Sequence, residues 1–273
     1  MNEISSMKND LNRYLELAKI CKAVYGAPIR QDLITYNGKS MSRQKIVHGS
    51  YKRGFCRLFW NDETVIIAFR GTRESVDWSV SNLKMFPVSL QNCNLNSKKT
   101  RVHRGFQRTL YYKDKTTNLT SFDAIMKHIN DLDLIANKQI IITGHSLGGA
   151  LATLFSVKLR AKIPINIENQ LKEIVLFGSP AVGLKNFKTF YGTLNSKTIR
   201  IINGSDVVPF TPPLFYYHIG NEIWLKKEAI KNNDSWITRL IYALKLPMKN
   251  FINDHSMKSY IISITESIKY KSL

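Results

Sequence analysis

Cysteine is scarce in this chain, and the scarcity is informative. Cys21, Cys56 and Cys93 are the three among 273 residues, and an odd number cannot close a disulfide framework. A reducing compartment is the simpler expectation. Acidic residues are also few: twenty Asp and Glu face forty Lys and Arg, for a formal charge of +20 and a pI near 9.9. Such a balance raises an acidic partner, nucleic acid or an anionic membrane. No run approaches the ~20 apolar residues of a membrane-spanning helix. Residues Met1 to Asp10 lack the basic start, apolar stretch and small-residue cleavage site of a secretory signal. The expected location is therefore cytoplasmic, or outside the cell by a route without an N-terminal signal peptide. Repeats and low-complexity linkers are missing too. With 44% apolar residues, the chain is expected to form a single domain over residues 1–273 with a sizeable core.

Beyond these gaps, the chain shows an ordered alternation of patterns. Leu11, Tyr14, Leu15, Ala18, Cys21 and Tyr25 recur at intervals of three and four, the spacing of an amphipathic helix. Phe55 to Trp60 and Val65 to Phe69 read as strands, the second nearly all apolar and so central. A helix over about Ser121 to Leu132 precedes the apolar strand Gln139 to Thr143, and Ala150 to Leu159 reads as a helix before the strands Ile174 to Phe177 and Thr198 to Ile202. Buried strands alternating with helices predict an α/β fold with a central, mostly parallel β-sheet flanked by helices on both faces. Such sheets bind ligands beyond the carboxyl ends of their strands, where Arg70-Gly71-Thr72, Gly144-His145-Ser146 and Asp206 fall.

Gly144-His145-Ser146-Leu147-Gly148 follows one of these strands and opens a helix, the context in which a G-x-S-x-G pentapeptide becomes a nucleophile elbow. Glycines flank the serine because the sharp turn brings other chains where a Cβ would clash. Ser146 then projects at a helix N-terminus, whose amides favour developing negative charge.

A serine hydroxyl needs a base to take its proton, and the base needs an acid to orient it. In this type of fold the order is Ser, acid, His. That order excludes His48, His103 and His128, while His145 abuts the serine and points elsewhere. Among the acids between, Glu168 and Glu173 read as solvated loop, whereas Asp206 follows a strand through a Gly-Ser turn. His218 and His255 both remain as candidate bases, and spacing favours His255, although Asp254 could instead mark a polar cap for a helix over Met257 to Ile268.

Taken together, Val65 to Thr72, Val102-His103-Arg104-Gly105-Phe106, Thr143 to Ala152, Phe177-Gly178-Ser179-Pro180-Ala181-Val182-Gly183 and Asp206-Val207-Val208-Pro209 resemble the motifs of the class 3 lipases, in that family's order. The resemblance implies an α/β-hydrolase with a lid segment, no cofactor and no metal. It implies an acyl-enzyme mechanism with Ser146 as nucleophile, Asp206 as acid and His255 as base. It also implies an oxyanion hole formed by the Leu147 amide and Thr72, with His103 buttressing the site and the motif around His218 structural. Residues 74–90, with Trp78, Leu83, Phe86 and Val88, match the place of a lid over the acyl groove; the alternative is a helix packed permanently on the core. Ala181 stands where an arginine is often found in the family's Gly-Ser-Pro motif.

The leading expectation is a serine carboxylic-ester hydrolase acting on lipids, as a triacylglycerol lipase or a phospholipase of the A type. Its partners are then a lipid or ester substrate and, peripherally, an anionic membrane drawn by Lys98, Lys99, Arg101, Arg104 and Arg108. The alternatives are an esterase for soluble esters and a silent hydrolase-fold binding protein. Nucleic-acid binding rests on charge alone and is not expected. The stripe from Trp236 to Leu246 suits either an interfacial helix or plain core packing.

Overall fold

The computed structural model describes residues 3–26, 34–48, 54–71, 86–91, 93, 99–111, 113–115, 117–134, 136–162, 169–212, 215–226, 229–232, 237–238, 241 and 248–270. Helix α1 (Glu3–Ala23) opens the chain and is followed by a short hairpin of β1 (Thr35–Tyr36) and β2 (Lys39–Ser40). The main sheet starts with three antiparallel strands, β3 (Arg43–His48), β4 (Gly54–Trp60) and β5 (Thr64–Phe69). Next come β6 (Pro87–Ser89), β7 (Arg101–His103), α2 (Arg104–Tyr111) and α3 (Ser121–Asp131). The central units are β8 (Gln139–His145), α4 (Leu147–Lys162), β9 (Leu171–Phe177), β10 (Gly183–Leu184), α5 (Lys185–Tyr191) and β11 (Thr198–Asn203). The chain closes with β12 (Tyr216–Tyr217), β13 (Asn221–Lys226), β14 (Ala229–Asn232), α6 (Met248–His255) and α7 (Met257–Tyr270).

Among the described residues, eight strands form the main sheet in the order β14-β13-β11-β9-β8-β5-β4-β3. Its middle, β5, β8, β9, β11 and β13, is parallel, and the pairs at the two edges are antiparallel. The apolar runs follow from burial of both faces. Val65, Ile67 and Phe69 point into one core with Ile140, Ile142, Ile174 and Leu176, against α2, α3 and α4. Ile66, Ala68, Ile141, Val175 and Phe177 point to the other, against α1 and α7. Each strand therefore needs apolar side chains at both parities, which removes the two-residue alternation of a half-solvated sheet. Helix α3 begins with a capping box: Thr120 Oγ accepts from the Asp123 amide and the Asp123 carboxylate accepts from the Thr120 amide.

Two features depart from the sequence expectations. Glu173, read above as solvated loop, lies within β9 and is buried, accepting hydrogen bonds from Arg13 Nε at 2.9 Å and Tyr36 Oη at 2.6 Å. A buried carboxylate is tolerable because a cation and a hydroxyl replace its water. Second, a small sheet of order β12-β10-β7-β6 stands beside the main one, with His103 donating its amide to the Val182 carbonyl at 2.9 Å. Strands of two or three residues carry no periodicity, so sequence patterning misses them. Val88 belongs to β6, paired with Val102, which fixes that end of the expected lid segment as sheet. Of the stripe from Trp236 to Leu246, Ile237, Thr238 and Ile241 are exposed, and its other residues lie outside the described ones. Among the described residues, no helix is long and apolar enough to cross a membrane.

Candidate active site

The carboxyl ends of β5, β8, β9 and β11 converge at one edge of the parallel sheet. β8 ends at His145 and α4 starts at Leu147, so Ser146 alone makes the turn, with φ +59°. A left-handed backbone costs a residue with a Cβ about 1–2 kcal/mol, and is kept where surrounding structure enforces it. The enforcement is visible in the flanking glycines. A Cβ on Gly148 would strike the Phe69 carbonyl and sit 2.9 Å from the Arg70 backbone, and one on Gly144 would strike the Gly148 backbone. The spacing of the pentapeptide thus reflects a strand end and helix start pressed together and seated against the end of β5.

Ser146 Oγ lies 2.9 Å from His255 Nε2, and His255 Nδ1 lies 2.9 and 3.0 Å from the two oxygens of Asp206. An ionised carboxylate only accepts, so Nδ1 carries the ring proton and Nε2 is free to accept from the serine hydroxyl. Asp206 is 1% exposed. Burial pushes its pKa up, but His255, the Tyr260 hydroxyl at 2.6 Å and the Val208 amide at 2.9 Å outweigh that and hold the carboxyl below its ordinary range.

The loop that carries Asp206 and the end of α6, which carries His255, are tied together. Asp254 accepts from both the amide and the hydroxyl of Ser205, each at 2.7 Å, and Asn203 Nδ2 donates to the Asp254 carbonyl at 2.9 Å. Asp254, in the last turn of α6, is therefore a clamp between that helix end and the loop after β11. The start of α7 is capped by Ser256, whose Oγ accepts from the Ser259 amide at 3.2 Å. Tyr260, one turn into α7, was invisible as a site residue because in sequence it is one more apolar position of an amphipathic helix.

The remaining candidates fall as follows. His218 Nε2 is bonded to the Pro209 carbonyl at 2.6 Å, and it is His255 that meets Ser146. His145, expected to point away, is buried between Tyr25 and His255 and bonds both. His103 accepts at Nδ1 from the amides of Gly105 and Phe106, at 3.1 and 3.3 Å, and stacks on Phe106. Burial lowers its pKa to about 4, so it stays neutral at the start of α2. Leu147 is the first residue of α4, half-buried beside the serine. Thr72, Trp78 and Leu83 lie outside the described residues, as does Lys98. Phe86 is 68% exposed at the mouth of β6, and Lys99, Arg101, Arg104 and Arg108 are all exposed nearby in sequence. Among the described residues, no group of three or more His, Cys, Asp or Glu side chains is placed to hold a metal ion.

The sequence model of the lipase (class 3) family matches residues 66–216, more than half of the chain. The chain belongs to the class 3 lipase family. It is accordingly an enzyme of the lipase and esterase kind, a carboxylic-ester hydrolase. Among its relatives, a secreted mono- and diacylglycerol lipase of Malassezia globosa is 27% identical over 83% of this chain and 72% of its own length. A chloroplastic phospholipase A1-Igamma1 of Arabidopsis thaliana is 31% identical over 59% of this chain, which spans 33% of that protein. The lipase structure from Rhizopus microsporus var. chinensis superposes with a TM-score of 0.63 at 21% identity, covering 92% of this chain and 86% of that one. The shared architecture is the α/β-hydrolase fold.

Proposed function

We propose that this class 3 lipase hydrolyses lipid esters through an acyl-enzyme intermediate, with Ser146 as nucleophile, His255 as general base and Asp206 as the acid that orients it. The observation that carries this reading is the unbroken chain from Ser146 Oγ through His255 to Asp206, with links of 2.9 Å at the serine and at the nearer carboxylate oxygen. Ser146 attacks the ester carbonyl while Nε2 takes its proton; the imidazolium formed is stabilised by the adjacent carboxylate. Nε2 then returns the proton to the leaving alcohol, and water repeats the sequence to free the acid. The developing oxyanion is assigned to the Leu147 amide and Thr72. One such donor is worth about 10²–10³ in rate.

The substrate class is proposed as acylglycerol or phospholipid, in keeping with relatives named for both. Trp78, Leu83, Phe86 and Val88 are assigned to the rim and cover of the acyl groove. The charge of +20 supports peripheral attachment to anionic lipid rather than to nucleic acid, for which no recognition motif is present. No cofactor enters this chemistry. Because the motifs used run from Arg70 to His255, the same reading takes residues 1–273 as one domain. A silent binding role is disfavoured by the complete hydrogen-bonded chain at the serine.

The test is hydrolysis of p-nitrophenyl butyrate by the parent and by Ser146→Ala, followed by product analysis on mixed phospholipid and triacylglycerol. Loss of at least 10³-fold in the variant is expected, since removing a triad member leaves only the oxyanion hole and binding. Activity that persists in Ser146→Ala overturns the assignment.

A further inference from the structure

His145 precedes the proposed nucleophile, is 6% exposed, and uses both ring nitrogens. Its Nδ1 lies 2.8 Å from the Tyr25 hydroxyl and its Nε2 lies 2.7 Å from the backbone carbonyl of His255. The Tyr25 oxygen also lies 3.1 Å from the amide of Gly71. These four groups leave one consistent arrangement of protons. The Gly71 N–H can only donate, so the hydroxyl accepts there and turns its own hydrogen to Nδ1. The His255 carbonyl can only accept, so Nε2 carries the ring hydrogen. The order is Gly71 N–H to Tyr25, Tyr25 O–H to His145, His145 N–H to His255.

Burial, and His255 next to it, lower the His145 pKa to about 3, so the ring remains neutral across the working range and the direction of the chain is stable. Burial raises the Tyr25 pKa, which keeps its hydroxyl protonated. Packing holds the same groups. The His145 ring lies 4.6 Å from that of His255, centroid to centroid, and meets Tyr25 edge-on at 5.8 Å. A Cβ on Gly71 would strike the Tyr25 oxygen and approach the His145 carbonyl to 2.8 Å and Ser146 Cβ to 3.1 Å. The turn after β5 is thus seated on the elbow itself.

We propose that Tyr25 and His145 are positioning residues, a directional hydrogen-bond chain that sets the turn after β5, to which the oxyanion donor is assigned, against the end of α6, which bears the base. This rests on the triad reading above. Neither residue touches the reacting atoms. Their effect is to fix the distance between a turn and a helix end from distant parts of the chain, and an oxyanion donor is effective only within about 2.7–3.1 Å of the oxygen that becomes charged. Substrate binding in the ground state does not depend on that distance, so the signature falls on kcat and not on KM.

The decisive variant is Tyr25→Phe, which keeps the ring and removes the hydroxyl. Rates on p-nitrophenyl butyrate are taken per active site, counted by titration with an alkyl phosphonate. The kcat is expected to fall about 10–100-fold with KM within about threefold. The inhibition constant of an alkyl boronic acid, which forms a tetrahedral adduct on serine, is expected to rise by the factor by which kcat/KM falls. His145→Gln, which can retain a donor to the His255 carbonyl but loses the contact with Tyr25, is expected to show the same pattern. The double variant is expected to be no worse than the poorer single one, because both break one chain. Parental kcat in Tyr25→Phe, a change confined to KM, or losses that multiply in the double variant each overturn the proposal. Should Tyr25→Phe yield no titratable sites, His145→Gln alone decides by the same criteria. Ser146→Ala separates the two readings: if it is inactive while Tyr25→Phe retains parental kcat, the chain fails and the triad stands.

Discussion

Tyr260→Phe tests how the buried Asp206 carboxylate is kept ionised. The Tyr260 hydroxyl donates to Asp206 Oδ2 at 2.6 Å and accepts from the Asn203 amide at 3.2 Å, and the ring packs edge-on against Phe177 and His145. Phenylalanine preserves the ring contacts and deletes the hydrogen bond. A buried hydrogen bond to a charged group contributes about 1.5–3 kcal/mol, and about 2 kcal/mol corresponds to roughly 4–8 °C in unfolding midpoint for a chain of this size. The pH dependence identifies the cause. Asp206 is held below its ordinary pKa in the folded state, so its contribution is present above the unfolded value and is lost as pH falls through the folded one. Removing a donor moves the folded value back up. The gap between parent and variant should therefore be full at pH 7 and narrow below pH ~4, toward the ~1 kcal/mol of a neutral hydrogen bond. Urea unfolding followed by circular dichroism at pH 7 and pH 3 measures it. An equal loss at both values would refute the reasoning and make the hydroxyl a packing group.

Gly178, with φ +53°, leaves room for the proposed triad: a Cβ there would strike Asp206 Oδ2, with Tyr260 Oη at 2.9 Å and His255 Nδ1 at 3.1 Å. Gly178→Ala should cost at least ~10²-fold in esterase rate by displacing the base, and retention of more than a tenth of the rate contradicts this. Arg200 and Glu222 form an ion pair at 3.0 Å with side chains 9% and 4% exposed. Glu222→Ala should lower unfolding free energy by about 3–5 kcal/mol in urea titration, since it removes the carboxylate that faces a buried guanidinium; a loss under 1 kcal/mol contradicts it. Replacing the exposed Arg104 and Arg108 by glutamine should weaken binding to anionic vesicles by up to ~30-fold at low salt, at about 1 kcal/mol per charge. The difference should shrink in high salt, and a salt-independent loss measured by vesicle sedimentation argues against electrostatic attachment.

The central sheet was legible because its cause is local. β5, β8 and β9 are covered on both faces, so nearly every residue must be apolar, and that run is visible without knowing what covers it. Ser146 was legible for a related reason: Gly144 answers to the contact of the strand end with the helix that follows it within a few residues, although Gly148 answers to the remote end of β5. Asp206 followed from its place after a strand. The small sheet, the antiparallel edges and the burial of Glu173 were not legible, because each depends on pairing with remote segments that leave no periodic trace.

The family motifs and the strand–elbow–helix order were thus determined by sequence alone, since they rest on contacts between near neighbours and on the burial of whole strands. The contact of Ser146 with His255, which spacing and the family resemblance favoured over His218, the clamp made by Asp254, and the engagement of His145, Tyr25 and Tyr260 came into view with the tertiary structure. His255 reaches Ser146 across 109 positions, Tyr25 reaches His145 across 120, and Tyr260 reaches Asp206 across 54. A histidine or tyrosine at such a position looks in sequence like any other, because its chemistry is set by a donor or acceptor that only the closed fold brings within 3 Å.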